Sequence, residues 1–274
     1  MYSLSFILPF ALGLAAVGCV SGFMAGLLGV GGGIVVVPVL YHVLEAFGVD
    51  DELRAFIAVG TSLATIIPTS VQSIKAHRAR GAVDFDLLKW WGPFVGVGVV
   101  IGILLAAIFS GAVLTAIFGV VAAIVALHML LTPEGVYLRE SVPAKPVQAA
   151  MATTIGTIST LMGIGGGTLT VPTLSLCNYP VRRAVGTASV IGLIIALPGA
   201  IGFVINGWSA QGLPPFSLGY VNIAGFVAIA LTSMFFAPLG AKAAHTMNPK
   251  WLKRLFGVFL AVTSAKMLLD FATL

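Results

Sequence analysis

The stretch Gly29-Val-Gly-Gly-Gly-Ile-Val-Val-Val-Pro38 recurs later in the chain as Gly163-Ile-Gly-Gly-Gly-Thr-Leu-Thr-Val-Pro172. Six of the ten positions are identical: four glycines, one valine and the proline. Each copy interrupts an apolar run and is followed by a short apolar segment that ends in polar or charged residues. The two copies therefore suggest a chain whose second half repeats the first.

Further matches follow the glycine clusters in the same order in both halves. Val59-Gly60-Thr61-Ser62 aligns with Val185-Gly186-Thr187-Ala188, and Phe118-Gly119-Val120 aligns with Phe256-Gly257-Val258. Chance similarity in an apolar chain poorly explains several matches in one order, so an internal repeat is the better interpretation. We predict an N-terminal repeat over 1–133, a linker over 134–145 and a C-terminal repeat over 146–274.

The composition assigns the chain to the membrane. Of its 274 residues only 8% are charged and the mean hydropathy is +1.09, whereas soluble domains carry about 25% charged residues. This excludes secreted, cytosolic and nucleic-acid-binding proteins. A spanning helix needs about 20 apolar residues, and polar breaks divide the chain into ten runs. The runs are 3–28, 34–47, 54–75, 88–109, 112–132, 146–163, 168–178, 184–206, 216–241 and 251–272.

Five runs in each half place the two halves in opposite orientations if every run crosses the bilayer. With the basic loop 75–89 in the cytoplasm, alternation puts twelve of the fourteen Lys and Arg residues on the cytoplasmic side. The exceptions are Arg54 and Lys266. We predict an all-α polytopic protein of the inner (plasma) membrane, with two inverted-topology repeats of about five segments, 8–10 in total. Both termini are predicted on the outer side, and the short glycine-interrupted helices near the midplane.

The glycine clusters and the Gly-Thr tracts are the candidate substrate site. Short, glycine-interrupted segments at matching places in inverted halves are typical of a transporter binding site, and a helix N-terminus favours an anion. Close helix packing and hydroxyl bonds back to the same helix are the competing interpretations. The predicted substrate-binding residues are Gly31, Gly32, Gly33, Thr61, Ser62, Gly165, Gly166, Gly167, Thr187 and Ser189. The predicted helix breaks or hinges are Gly29, Pro38, Pro68, Gly163, Pro172 and Pro198.

Other chemistry has little support in the sequence. Glu45 and Asp270 lie near run ends, so no carboxylate stands in mid-helix. The glycine clusters lack the Lys-Ser/Thr of a nucleotide-binding P-loop, and no catalytic constellation is present, so we expect no enzyme, cofactor or metal. His128 aligns with Lys266, where snorkelling toward an interface or proton coupling would each explain a basic group.

These motifs resemble the TauE/SafE family of sulfite-exporter-like membrane proteins. The resemblance covers about residues 5–271 and includes the stretches 26–38, 213–220 and 238–241. It implies transport, usually export, of small sulfur-containing anions such as sulfite or organosulfonates. The family is usually described with eight helices, which matches ten segments if each short piece belongs to a hairpin.

The predicted function is therefore a secondary transporter for a small sulfur-containing anion, working by alternating access. Its expected partners are that anion and the lipid bilayer, with protons as a candidate coupling ion and no nucleic acid. A passive anion channel and a membrane subunit that docks a soluble partner are the alternatives. The identity of the anion, the direction and the oligomeric state stay open.

Overall fold

The computed structural model describes residues 4–28, 32–131, 138–246 and 249–273, which form ten α-helices and one short hairpin. Each apolar run corresponds to one helix, so the all-α prediction is confirmed. Within the described residues, α3, α4, α5 and α8 are long and apolar enough to cross a membrane. The helices are α1 (Leu4–Leu28), α2 (Gly33–Ala46), α3 (Asp51–Arg78), α4 (Phe85–Ile108), α5 (Gly111–Leu131), α6 (Lys145–Met162), α7 (Gly167–Ser175), α8 (Val181–Asn206), α9 (Ile223–Thr246) and α10 (Pro249–Thr273).

Helix α3 extends beyond the apolar run 54–75 because charged residues stabilise both of its ends. The Asp50 side chain caps the N-terminus by accepting a hydrogen bond from the backbone N–H of Glu52, 2.9 Å away. Acidic residues occupy the first turn, and Lys75 and Arg78 lie in the last turn. Both charge patterns complement the helix dipole.

Helix α9 starts later than its apolar run predicts. The run begins at residue 216, but the helix begins at Ile223. A hairpin precedes it, in which β1 (Ser217–Leu218) pairs antiparallel with β2 (Val221–Asn222). Phe216 and Gly219 have φ values of +63° and +54°. Hydropathy alone does not separate this apolar hairpin from a helix.

Helix α3 forms the centre of the protein. Every residue from 54 to 66 is buried, and α3 packs along α8, α2, α5 and α9. Helices α4 and α5 instead carry exposed apolar faces, which include Leu104 and Ile108 on α4 and Ile124 and Leu131 on α5. Apolar surface of this extent suits contact with lipid.

The helices of the two halves pack against each other in reciprocal pairs. Helix α1 packs against α9, and its counterpart α6 packs against α4, so the first helix of each half contacts the fourth helix of the other. Helix α3 packs against its counterpart α8, and α5 against its counterpart α10. The short helices α2 and α7 lie against α3 and α8. This reciprocal packing agrees with a duplicated chain, while the repeat boundaries and the inverted orientation stay predictions.

Glycines allow the exchanged helix pairs to approach closely. A Cβ atom on Gly22 of α1 would lie 2.5 Å from the Cα of Ser233 on α9, and one on Gly98 of α4 would lie 2.1 Å from the carbonyl oxygen of Thr153 on α6. Small residues at such crossings are typical of membrane helix packing. Part of the high glycine content therefore serves packing.

Loops that the charge pattern assigns to one side of the membrane contact each other. The Glu52 carboxylate, in the predicted outer region, accepts a hydrogen bond from Gly111 N at 2.8 Å. Asp84, in the predicted cytoplasmic loop, pairs with Arg183 at 2.9 Å. The contacts agree with the alternation of segments, and the assignment of each side to cytoplasm or exterior remains a prediction.

Candidate functional site

The two glycine motifs meet in the buried centre of the protein. A Cβ atom on Gly33 would lie 2.9 Å from the Gly163 carbonyl oxygen, so the two backbones touch. Ser62 lies between them: its hydroxyl donates to the Gly163 carbonyl at 2.7 Å and lies 3.5 Å from the Gly33 carbonyl. Ser62 is fully buried. The motifs therefore form one junction of α2, α3 and α6.

The threonines of the two Gly-Thr tracts make the same contact in each half. Thr61 Oγ1 accepts a hydrogen bond from the backbone N–H of Asn222 at 2.9 Å, and Thr187 Oγ1 accepts one from the backbone N–H of Asp84 at 3.0 Å. Asn222 and Asp84 each directly precede a helix, α9 and α4 respectively. Each threonine thus fixes the start of a helix, which gives both residues a structural role.

The glycines before these threonines are required by the same contacts. A Cβ atom on Gly60 would lie 2.6 Å from the carbonyl oxygen of Tyr220, and one on Gly186 would lie 2.3 Å from that of Ala82. Neither distance leaves room for a side chain. The same tract thus occurs where a helix of each half packs against the loop that precedes another helix: α3 against the loop before α9, and α8 against the loop before α4.

The two helix starts differ in charge. Asp84 caps α4 by accepting from the N–H groups of Asp86 and Leu87, each at 3.1 Å, and its other oxygen accepts from the Tyr179 hydroxyl and pairs with Arg183. Burial alone would raise the pKa of Asp84, but the hydrogen bonds from Tyr179 and Leu87 and the Arg183 charge together lower it below its usual value. Burial, followed by the bond to Asp84, raises the pKa of Tyr179.

Asn222 performs the equivalent cap of α9 without charge. Its Oδ1 accepts from Gly225 N at 2.7 Å, and its Nδ2 donates to the Pro215 carbonyl at 2.8 Å and to Ser217 Oγ at 3.0 Å. The predicted cytoplasmic side therefore holds its helix start with an ionic contact, and the opposite side uses an amide.

A cavity of about 60 Å³ lies between α3, α8 and the N-terminus of α7. The first turn of a helix has N–H groups without intrahelical acceptors and partial positive charge. Glycine at these positions leaves the backbone uncovered. The cavity is lined by Ile66, Thr69, Ser70, Ser73, Gly165, Gly166, Gly167, Val171, Val185, Ala188, Ser189 and Gly192.

Two of the four hydroxyls that line this cavity already have acceptors, and Ser73, one of the other two, is only half-buried. Ser189 donates to the Gly186 carbonyl at 2.7 Å, and Thr69 donates to the Ile66 carbonyl at 3.0 Å. Ser70 is 7% exposed and makes no hydrogen bond within the described residues. Ser70 has no distinguishing signal in the sequence, because it is one serine in an apolar helix and belongs to no repeated motif.

The predicted site residues separate into three groups. Gly165, Gly166, Gly167 and Ser189 line the cavity. Gly33, Thr61, Ser62 and Thr187 are buried in packing contacts outside the cavity lining, and Gly32 is half-buried just before α2. Gly29 and Gly31 lie outside the described residues. Whether any of these residues binds substrate stays a prediction.

The predicted hinge residues lie at two kinds of position. Gly163 ends α6 with a φ of +64°, the left-handed conformation that favours glycine. The prolines lie inside helices that continue past them, so their hinge role stays a prediction. The four are Pro38 in α2, Pro68 in α3, Pro172 in α7 and Pro198 in α8.

Comparison with known proteins identifies the family. The family described as Sulfite exporter TauE/SafE matches residues 14–267. The chain belongs to this family. A probable membrane transporter protein of Haemophilus influenzae is 31% identical over 255 residues, covering 92% of this chain and 96% of that protein. One of Methanocaldococcus jannaschii is 28% identical, covering 93% of this chain and 94% of that protein. No solved structure matches the chain.

Membership of the TauE/SafE family makes the protein a membrane transporter. The family match starts in α1 and ends in α10, so it includes both glycine motifs and the cavity. Four of the ten predicted substrate residues, Gly33, Thr61, Ser62 and Thr187, lie in structural contacts outside the cavity. The cavity at the α7 N-terminus is therefore the better candidate site.

The TauE/SafE chain also contains an ionic cluster that sequence reasoning did not assemble. Arg54 is 7% exposed and pairs with Asp51 and with Glu45, whose Oε2 lies 3.6 Å from its Nη1. The same oxygen lies 3.1 Å from His42 Nδ1 and 3.8 Å from Lys266 Nζ. Both exceptions to the basic-loop pattern, Arg54 and Lys266, thus meet here. Their position away from the predicted cytoplasmic side was the one sign in the sequence that these two basic residues have acidic partners.

This cluster includes the described residues that come closest to a metal site. Ligand atoms of His42, Glu45 and Asp270 lie within 4.8 Å of one another. Lys266 Nζ, however, lies 3.1 Å from His42 Nδ1. The ammonium group occupies the position in which a cation would interact with these ligands, so the geometry supports an ion-pair network better than a metal centre.

Proposed function

We propose that the protein is a secondary transporter that exports a small sulfur-containing anion, sulfite or a short organosulfonate, by alternating access with protons as the coupling ion. The family name supports the substrate class. The cavity beside Gly165–Gly167 supports an anion through its chemistry. The two halves, in inverted orientation, would rock against each other around this site.

The observation that carries the proposal is the acid-free lining of the cavity beside the N-terminus of α7. Hydroxyls of Thr69, Ser70, Ser73 and Ser189 and the backbone at the α7 N-terminus line it, with no Asp or Glu among the lining residues. Backbone N–H groups and a helix N-terminus stabilise an anion in a low-dielectric environment. A cation would meet the positive end of the helix dipole there.

The size of the cavity favours a compact substrate. A water molecule needs about 10–15 Å³ of the same kind of volume, so a cavity of about 60 Å³ has room for roughly four to six non-hydrogen atoms. Sulfite has one sulfur and three oxygens. An organosulfonate with a carbon chain would require the walls to move apart.

The position of the cavity supports loading from the predicted cytoplasmic side. Ser70 and Ser73 lie toward the end of α3 that carries Lys75 and Arg78. Toward the other end, the fully buried run 54–66 closes the centre of the protein. Release to the outside would require α3 to separate from the junction at Gly163.

Reconstituted proteoliposomes test the proposal. We expect the purified protein to transport radiolabelled sulfite with saturable kinetics and with a rate that responds to an imposed pH gradient. Gly166→Leu should abolish transport, because a Cβ atom there would already lie 2.7 Å from Gly192 N. Gly96→Leu is the matched control, since the α4 glycine has open space around it. Flux that fails to saturate would indicate a channel, and unchanged flux in Gly166→Leu would exclude the site.

A further inference from the structure

We infer that Ser70 is the side chain that donates a hydrogen bond to the transported anion and so contributes to its selection. This inference rests on the proposed function and assigns a ligand within the same cavity. None of the sequence motifs includes Ser70. Its candidacy comes from its surroundings in the folded protein.

The first argument is an unused hydroxyl. Ser70 lines the cavity and is 7% exposed, yet it has no hydrogen-bond partner within the described residues. By contrast, Ser62 donates to the Gly163 carbonyl and Ser189 to the Gly186 carbonyl. Among the described residues, the fully enclosed serine and threonine hydroxyl oxygens without a partner are those of Ser159, Thr168 and Thr170. Ser70 Oγ is not one of them, so it is open to the cavity that Ser70 lines. A hydroxyl in this position is expected to complete its bonding with a ligand or water.

The second argument is the position of Ser70 relative to the α7 N-terminus. A Cβ atom on Gly192 would lie 3.1 Å from Ser70 Oγ and 3.3 Å from Gly166 N. Ser70 Oγ and Gly166 N therefore lie on either side of Gly192 of α8, where no side chain separates them. The distance between these two atoms cannot exceed the sum of the two distances. Donor–acceptor distances are close to 3 Å in ordinary hydrogen bonds. One oxyanion can thus receive bonds from both groups.

The third argument is that the duplication does not reproduce this arrangement. In the register that aligns Gly60 with Gly186, the counterpart of Ser70 is Ala196 and the counterpart of Gly192 is Ile66. The counterpart positions therefore lack both the hydroxyl and the glycine. Ser70 is not a by-product of the repeat, and the arrangement of α3 against α7 and α8 at this site is not repeated at the corresponding positions.

Ser70→Ala tests the inference through two measurements, the half-saturating sulfite concentration and the melting temperature. A ligand-binding serine and a structural serine predict different results in each. Loss of a hydrogen bond to a charged ligand should raise the half-saturating sulfite concentration roughly tenfold or more, with little change in maximal rate. Without ligand, the variant should melt at the same temperature as the parent protein or higher, because the substitution removes no hydrogen bond to a described residue. A serine with a purely structural role would instead lower the melting temperature.

Ser264→Ala is the matched control, since Ser264 is equally buried and donates to the Gly119 carbonyl between α5 and α10. It should lower the melting temperature and leave the half-saturating concentration unchanged. If the parent protein transports sulfite and Ser70→Ala has the same half-saturating concentration, the Ser70 inference is wrong while the proposed function stands. If the parent protein shows no saturable flux of sulfite or short sulfonates, the proposed function fails and the inference with it.

Discussion

The hydroxyl of Ser62 donates to the carbonyl of Gly163 across 2.7 Å, and this bond joins residues 101 positions apart. It connects the central helix α3 to the end of α6, where the second glycine motif begins. Gly163 accepts it with a left-handed backbone that leaves no room for a side chain, since a Cβ atom would lie 2.8 Å from the Cα of Val59. Under the proposed function, this contact would close one end of the transport path.

Removing this bond should weaken the closed arrangement. Ser62→Ala leaves the buried Gly163 carbonyl without its donor, and we expect a loss of about 1–3 kcal/mol in the free energy of unfolding. Chemical denaturation of the detergent-solubilised protein measures this. Ser21→Ala is the control, because the Ser21 hydroxyl bonds only weakly, at 3.4 Å, to the Gly18 carbonyl of its own helix. Equal stability of the two variants would show that the junction is not held by Ser62.

The Gly-Thr contact predicts a strong steric effect at Gly186. Gly186→Ala would place a Cβ atom 2.3 Å from the Ala82 carbonyl oxygen, and overpacking of this kind costs about 1–3 kcal/mol. Gly96→Ala, in open space on α4, should be neutral or slightly stabilising. Thermal unfolding of both variants in the same detergent measures the difference. A Gly186→Ala variant as stable as Gly96→Ala would contradict the close packing of α8 against the 79–84 loop.

Asp84 predicts a dependence of stability on pH. Its pKa is lowered in the folded protein, so its contribution is fully present above the ordinary aspartate pKa of about 3.9 and is lost as the pH falls through the lower folded value. Asp84→Asn gives α4 the same capping residue as α9. We expect this variant to lose part of the acid sensitivity of the melting temperature below about pH 5.

Tyr179→Phe provides a second test of the same contact. It removes the hydroxyl that donates to Asp84 and leaves the carboxylate in place. The folded pKa of Asp84 should then rise toward its ordinary value, and the Asp84 contribution should be lost at higher pH. This is tested by measuring the melting temperatures of three proteins, the parent, Tyr179→Phe and Asp84→Asn. The measurements run from about pH 3 to pH 7, a range that includes the ordinary aspartate pKa. Identical curves for all three would contradict an ionic Asp84.

The ionic cluster on the predicted outer side should depend on Glu45. Glu45→Gln removes the carboxylate that neighbours His42, Arg54 and Lys266 and leaves the buried Arg54 with Asp51. Since Glu45 itself is 45% exposed along its side chain, we expect a loss of about 1–3 kcal/mol, below the full value for a buried pair. Lys89→Gln, which breaks an exposed pair with Asp86, should change stability by less than about 1 kcal/mol. A matching result for both variants would contradict a stabilising cluster.

Much of the fold follows from hydropathy and spacing. Run 168–178 corresponds to α7 at Gly167–Ser175, and run 184–206 to α8 at Val181–Asn206, because an apolar segment in lipid must satisfy its own backbone hydrogen bonds. The start of α9 was predicted too early, since the preceding hairpin is also apolar. Charged ends such as Asp51 and Arg78 belong to α3 because they match its dipole.

The candidate site was predictable only in part. The glycine motifs indicated the α7 N-terminus, and Gly165–Gly167 line the cavity. The duplicated Gly-Thr tracts were equally prominent in the sequence, but Thr61 and Thr187 fix the starts of α9 and α4. A repeated motif marks a repeated contact, and a repeat alone does not distinguish a contact with substrate from one with the protein backbone.

The sequence by itself determined the number and type of helices, the membrane environment and the family, because these depend on local hydropathy and on motifs within a few residues. Only the tertiary structure decided which polar groups are free. Ser62 and Ser70 are neighbouring serines of one helix, but a carbonyl 101 residues away occupies the first, while the second faces a cavity beside Gly166 and Gly192. Whether a buried hydroxyl is available to a ligand depends on partners that approach in space, and the order of residues along one helix does not contain that information.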